Sequence, residues 1–304
     1  MRTKIIYTIS ILMVFIISVK GEEPITIGGS KFTNSLIEKW INEYKKENPQ
    51  SQLKLVSKKN EAKQIDISII AHQPAKTDLT DNQQIIFVCK YALLPITGKS
   101  NSFLKNIKKR GLNKKEFETL FFKEGLLEEN NKEKTKTVVN IYSRESQASS
   151  SIAFANYFGH QPNDIRGKKI LGDDIFLFSA IKKDSNGITF NNLGYIYDLQ
   201  TRKVQNGISV LPLDINKEAF SAINNNIDDV LNILESNSFE TIPVIKLGFI
   251  FNINPGNKEI IKFLKWVIAD GQKYNHDFGF LNLDKELQAN QIEQLSEKYL
   301  TATK

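Results

Sequence analysis

The stretch Tyr142-Ser143-Arg144-Glu145-Ser146-Gln147-Ala148-Ser149-Ser150-Ser151 sets an arginine and a row of hydroxyls between two patterned segments. An apolar β-type run, Thr137–Ile141, precedes it and a helical pattern, Ile152–Phe158, follows. A helix start carries backbone N–H groups without intrahelical partners and the positive end of a dipole. The serines add donors, and Arg144 adds a planar cationic fork that matches carboxylate or phosphate geometry. Together these favour a small oxyanion. A serine cluster that merely caps a helix beside a surface arginine uses the same residues. Locally, both readings stay open.

A second helix start lies near the N-terminus. Pro24–Ile27 predicts a short strand, and Leu36, Trp40, Ile41 and Tyr44 form one apolar stripe of a helix. Between them, Gly28-Gly29-Ser30-Lys31-Phe32 supplies glycines that let backbone approach a ligand closely. Lys45 and Lys46 suit the end of that helix, and Pro49 stops it. Gln52–Val56 and Ile65–Ile70 predict two further strands, with Ser57 and His72 just beyond them. Ligand crevices of open α/β sheets lie at the carboxyl ends of strands, so Ser57 and His72 are candidates to line one.

Other chemistries find little support. His72, His160 and His276 lack ligand-like spacing and a thiol partner, so no metal site is expected. Cys89 lies inside the β-type run Ile85–Ile96 and reads as a small packed side chain. No nucleophile–base pair or acid/base set stands out, so neither an enzyme nor a cofactor is expected. The basic run Lys105, Lys108, Lys109, Arg110, Lys114 and Lys115 has no interleaved aromatics, which favours a solvated face over a nucleic-acid site.

The elements that must position these residues follow from composition and periodicity. Arg2 and Lys4 precede an apolar run from Ile5 to Ser18, with small residues at Val19 and Gly21. This predicts a secretory signal peptide over residues 1–21, with no cysteine nearby for a lipid anchor. Its removal takes away Arg2, Lys4 and Lys20 and no acid, lowering the formal charge from +7 to +4. That mild excess demands neither nucleic acid nor a membrane surface. A single cysteine forbids an intramolecular disulfide, so an exported chain must rely on its core. About 280 residues remain, more than one typical domain, which points to two lobes. Helices are expected over Lys114–Phe122, Asp174–Ile181, Asn257–Asn275 and Asp284–Tyr299. Strands are expected around Ile188–Phe190, Ile208–Leu213 and Ile242–Asn252, with Leu193–Asp198 a buried strand or strand end and a charged loop over Glu124–Thr137. The alternation argues for an α/β fold.

In this order the residues resemble the phosphate-binding proteins of bacterial phosphate ABC importers. Ile27-Gly28-Gly29-Ser30-Lys31-Phe32 before a Trp-bearing helix is similar to their opening, and Arg144-Glu145-Ser146-Gln147-Ala148-Ser149-Ser150 to their second phosphate loop. Gly187-Ile188 with Gly194-Tyr195 is similar to their central strand, and Phe263–Trp266 with Gly271–Tyr274 and Phe278–Leu283 to their closing helix and tail. The resemblance spans essentially the whole chain after residue 21. It implies a two-lobed type II periplasmic binding protein, each lobe a mixed sheet flanked by helices, with a ligand cleft between lobes. The implied lobes are 22–100 plus 209–304, and 101–208. The implied partners are inorganic phosphate or a related oxyanion and an ABC permease in the inner membrane, the protein itself a periplasmic monomer.

Carried over by position, the implied ligand residues are Ser30, Lys31, the N–H of Phe32, Ser57, Arg144, Ser149 and Ser150, with His72 beside them. The chain departs from the family in three places. Lys31 stands where a threonine is usual, and Lys58–Ala62 replaces a glycine-rich loop. Near Ile70 and Ala71 the usual carboxylate that accepts the phosphate proton is missing. The expected function is capture of phosphate or a similar tetrahedral oxyanion for delivery to a permease. A sensor or interaction protein of the envelope that keeps the same fold is the alternative.

Overall fold

One sixteen-residue strand, Gln83–Gly98, runs through the middle of the molecule and takes part in two sets of pairings. The computed structural model describes residues 24–56, 65–74, 79–107, 111–123, 139–252 and 258–302. The predicted signal segment, Ser57 and the whole of the predicted loop at Glu124–Thr137 lie outside them. Among the described residues no helix is long and apolar enough to cross a membrane.

The strands are β1 (Ile25–Gly28), β2 (Leu53–Val56), β3 (Ile67–Ile70), β4 (Gln83–Gly98), β5 (Asn140–Arg144), β6 (Lys168–Ile170), β7 (Gly187–Asn192), β8 (Ile208–Val210) and β9 (Val244–Asn252). They form one sheet in the order β2-β1-β3-β9-β4-β7-β5-β6, with β8 also pairing β4. The first part of β4, Gln83–Ala92, pairs antiparallel with β9, and Leu93–Thr97 pairs antiparallel with β7. Strand β1 lies between β2 and β3, parallel to both. Strand β5 lies between β6 and β7, again parallel to both. Two three-stranded parallel groups therefore flank the β9–β4 pair. The near-continuous apolar run of β4 is what a strand buried on both faces requires.

Helices cover the sheet where the apolar spacing is helical: α1 (Asn34–Glu47), α2 (Phe103–Asn106), α3 (Lys114–Phe122), α4 (Ser149–Tyr157), α5 (Ile175–Lys183), α6 (Leu193–Ile196), α7 (Lys217–Asn225), α8 (Ile227–Ser236), α9 (Lys258–Ala269) and α10 (Lys285–Ala302). Helix α1 buries Leu36, Ile37, Trp40, Ile41 and Tyr44. Trp40 donates through Nε1 to the Gly271 carbonyl at 2.9 Å, tying α1 to the turn after α9. The other end of the sheet is covered by phenylalanines. Phe154 of α4 stacks on Phe190 of β7 at 3.7 Å, and Phe121 meets Phe154 edge-on at 5.0 Å. Such aromatic pairs add to the burial that dominates core stability.

Most expected elements are present, with one correction. Leu193–Ile196 is a short helix, not a strand. The strand stops because Asn191 turns its side-chain oxygen back to the Asn192 N–H at 2.9 Å, a local bond that competes with the ladder. Helices α7 and α8 were not anticipated, although Asn216 and Asn226 cap them through Ala219 N–H and Asp229 N–H. Cys89 is fully buried, and burial pushes its thiol well above the ordinary cysteine range.

Candidate functional site

Both candidate loops leave the central strand of a parallel group and open a helix. At the first, β1 runs into Gly29, whose φ is +149° and whose hypothetical Cβ would lie 2.6 Å from the Ile69 carbonyl oxygen. Only glycine fits so close to β3. The Ser30 carbonyl then accepts from the Thr33 N–H at 3.1 Å and the Thr33 hydroxyl at 2.6 Å, closing a 3₁₀ turn that runs directly into α1. Lys31 is exposed. Phe32 packs inward, 5.1 Å from the Tyr91 ring and 5.9 Å from Phe280. Tyr91 in turn donates its hydroxyl to the Ala71 carbonyl at 2.5 Å, which brings the half-buried His72 segment beside the aromatic group.

The second loop is built around Arg144, which is 8 % exposed. Its Nε donates to the Ile170 carbonyl at 3.1 Å, its Nη1 to Asp174 Oδ1 at 3.1 Å, and its Nη2 to the Gly172 carbonyl. Glu145 lies 3.5 Å from Nη2. Ser150, at the second position of α4, donates its hydroxyl to the same Asp174 Oδ1 at 2.9 Å. Ser151 donates to the Arg144 carbonyl at 3.0 Å, locking the turn. Ser149 opens α4 after Ala148, which makes no side-chain cap.

Burial raises the Asp174 carboxyl above its ordinary value, against the lowering pull of Arg144 and Ser150. Burial also raises the Tyr91 hydroxyl, and the charge of Asp174 adds to that shift. Tyr195, which donates to Asp173 at 3.1 Å, is raised by burial and then by Asp173 and Asp174. Tyr91 thus feels the second loop electrostatically while its ring packs on Phe32 of the first.

The structure therefore brings Arg144 and Ser150 together on one carboxylate and links Phe32, through Tyr91, to Ala71, the residue before His72. Ser30 closes its own turn through its carbonyl while its hydroxyl makes no cap, and Lys31 stands outside these contacts. Asp174 and Tyr91 were not anticipated as site residues. A signal for Asp174 existed, since an Asp before the apolar run Ile175–Ile181 marks a helix start. Nothing local points that side chain at an arginine 30 residues away. Among the described residues, no three His, Cys, Asp or Glu side chains group as a metal site needs.

Comparison with solved structures identifies the fold. A Clostridium perfringens protein with bound phosphate, assigned as a phosphate ABC transporter substrate-binding protein, superposes with a TM-score of 0.61 at 12 % identity, over 86 % of this chain and 100 % of its own. An ABC-type phosphate transport receptor from Vibrio cholerae gives a TM-score of 0.58 at 11 % identity, over 85 % of this chain and 100 % of its own. PstS from Borrelia burgdorferi gives 0.54 at 17 % identity, over 87 % and 100 %. No family model matches the chain, and no curated protein matches it in sequence. At these identities the similarity is one of fold: the mixed α/β fold of type II periplasmic binding proteins.

Proposed function

We propose that this is an exported, two-lobed binding protein that captures phosphate, or a similar tetrahedral oxyanion, and hands it to an ABC permease of the inner membrane. Residues 22–100 with 209–304 form one lobe and 101–208 the other. The protein works as a monomer in the periplasm after removal of residues 1–21. The observation that carries this reading is the matched placement of the two loops. Each follows the central strand of a parallel group and opens a helix, on either side of the β9–β4 pair. Helix starts at the carboxyl ends of strands suit anions. The ligand is held by Ser30, Lys31, the N–H of Phe32 and Ser57 from one lobe, with His72 beside them, and by Arg144, Ser149 and Ser150 from the other. Closure is favoured because only the closed form lets both sets reach one ion.

Titration calorimetry of residues 22–304 with phosphate, sulfate and molybdate tests this. Phosphate is expected to bind with a sub-millimolar dissociation constant, and absence of binding to all three would overturn the transport reading. One observation favours the envelope sensor or interaction protein instead: Asp174 already engages both Arg144 and Ser150. In that case phosphate uptake by cells is unchanged when the gene is deleted.

A further inference from the structure

Asp174 stands immediately before α5, at the position where an aspartate ordinarily caps its own helix. It makes no such cap. Its side chain crosses instead to the start of α4, where Oδ1 accepts from both Arg144 Nη1 and Ser150 Oγ. Those are two of the groups assigned above to the oxyanion, so a carboxylate oxygen sits where an oxyanion oxygen would. The arrangement is actively held. Asn191 donates to the Asp174 backbone carbonyl at 3.0 Å, fixing the main chain. Gly172, at φ +100°, turns its carbonyl onto Arg144 Nη2 and orients the fork toward Asp174.

We propose that Asp174 is an internal competitor for the oxyanion site, a built-in carboxylate that an arriving anion must displace. The inference rests on the oxyanion reading of the site. An anion entering beside Asp174, with Asp173 and Glu145 close by, meets a guanidinium whose charge is already neutralised. Like charges at contact distance repel strongly inside a protein, so ligand and Asp174 exclude one another. A displaced carboxylate stays beside the N-terminal end of α5, where the helix dipole favours negative charge. The segment that carries it is lightly covered on its outer side. Leu171 is 72 % exposed, Phe176 48 % and Ile175 41 %, so the segment can adjust without opening the core. Asp174 thereby sets a threshold: only an anion that binds the fork and the α4 start better than a carboxylate does occupies the site.

The test compares wild-type protein with Asp174→Asn and Asp174→Ser by calorimetry against phosphate and against sulfate. Asparagine removes the charge and keeps the shape; serine removes the charge and is too short to span to Arg144. Both variants are expected to bind both anions at least about tenfold more tightly than wild type, within the range of ordinary coupling effects. Equal affinity in wild type and variants, or weaker binding in the variants, overturns the proposal and makes Asp174 a positioning residue for Arg144. Wild-type affinity separately decides the oxyanion reading. If neither wild type nor any variant binds either anion, that reading falls and this proposal with it. If only the variants bind, the site is an anion site that Asp174 keeps closed. Thermal unfolding of each variant reports whether it is folded, and the serine variant decides if the asparagine variant is not.

Discussion

The two helix starts share a topology and differ in how their charge is settled. The loop after β1 is neutral backbone closed on itself, with Gly29 wedged against β3, Thr33 bonded to Ser30, and Lys31 left in solvent. The loop after β5 contains a buried cation whose donors are divided among two carbonyls, Asp174 and Glu145. Under the proposed function, the first takes an anion at little internal cost and the second must give something up to bind one. The same strand-to-helix turn thus leaves its donors open or self-satisfied, depending on what the rest of the chain brings to it.

Arg144→Ala is the most severe way to break the contrast. It leaves Asp174 buried with only Ser150 as partner, and loss of one member of a buried pair costs about 3–5 kcal/mol. A denaturant midpoint near that of wild type would show that the pair is slack and the contrast false. Under the proposed function, oxyanion binding by calorimetry is lost as well. Gly29→Ala probes the other loop through backbone alone. Its positive φ and the 2.6 Å approach to the Ile69 carbonyl predict a loss of about 1–3 kcal/mol by the same measurement.

The charge settlement also has a pH signature. The Asp174 carboxyl titrates above its ordinary 3.8 in the folded protein, so the folded state holds that proton more tightly than the unfolded chain. Its contribution is fully present below about pH 4 and is lost as pH rises through the folded value. Asp174→Asn lacks this loss, so the stability difference between variant and wild type should shift toward the variant as pH rises through that window. Unfolding curves across the acid range check it, and a shift in the opposite sense would mean that Arg144 outweighs burial. Lys31→Ala should matter least. Its stability stays within about 0.5 kcal/mol of wild type. Any loss of oxyanion affinity is smaller than for Arg144→Ala and fades with added salt, because the lysine acts as an exposed point charge. Equal effects of the two variants would make the site merely electrostatic.

Much of the molecule is legible before any coordinates. The apolar stripe Leu36, Trp40, Ile41 and Tyr44 announces α1, and the unbroken run at Ile85–Ile96 announces a central strand, because burial imposes those periods locally. The segment after β7 misleads, since its apolar residues are buried whether strand or helix and only the Asn191–Asn192 turn decides. Helices α7 and α8 were readable from Asn216 and Asn226 followed by apolar residues three and four apart. Trp40, by contrast, reaches its hydrogen-bond partner at Gly271 across 231 positions, which no local pattern foreshadows.

By itself the sequence determined which residue types open the two helices and in which order strands and helices alternate, since both follow from neighbours within a few positions. Only the tertiary structure decided that the two loops flank one long strand and that Arg144 is already paired. Whether a buried cation is available depends on which carboxylate the fold sets beside it, and Asp174 arrives from 30 residues along the chain.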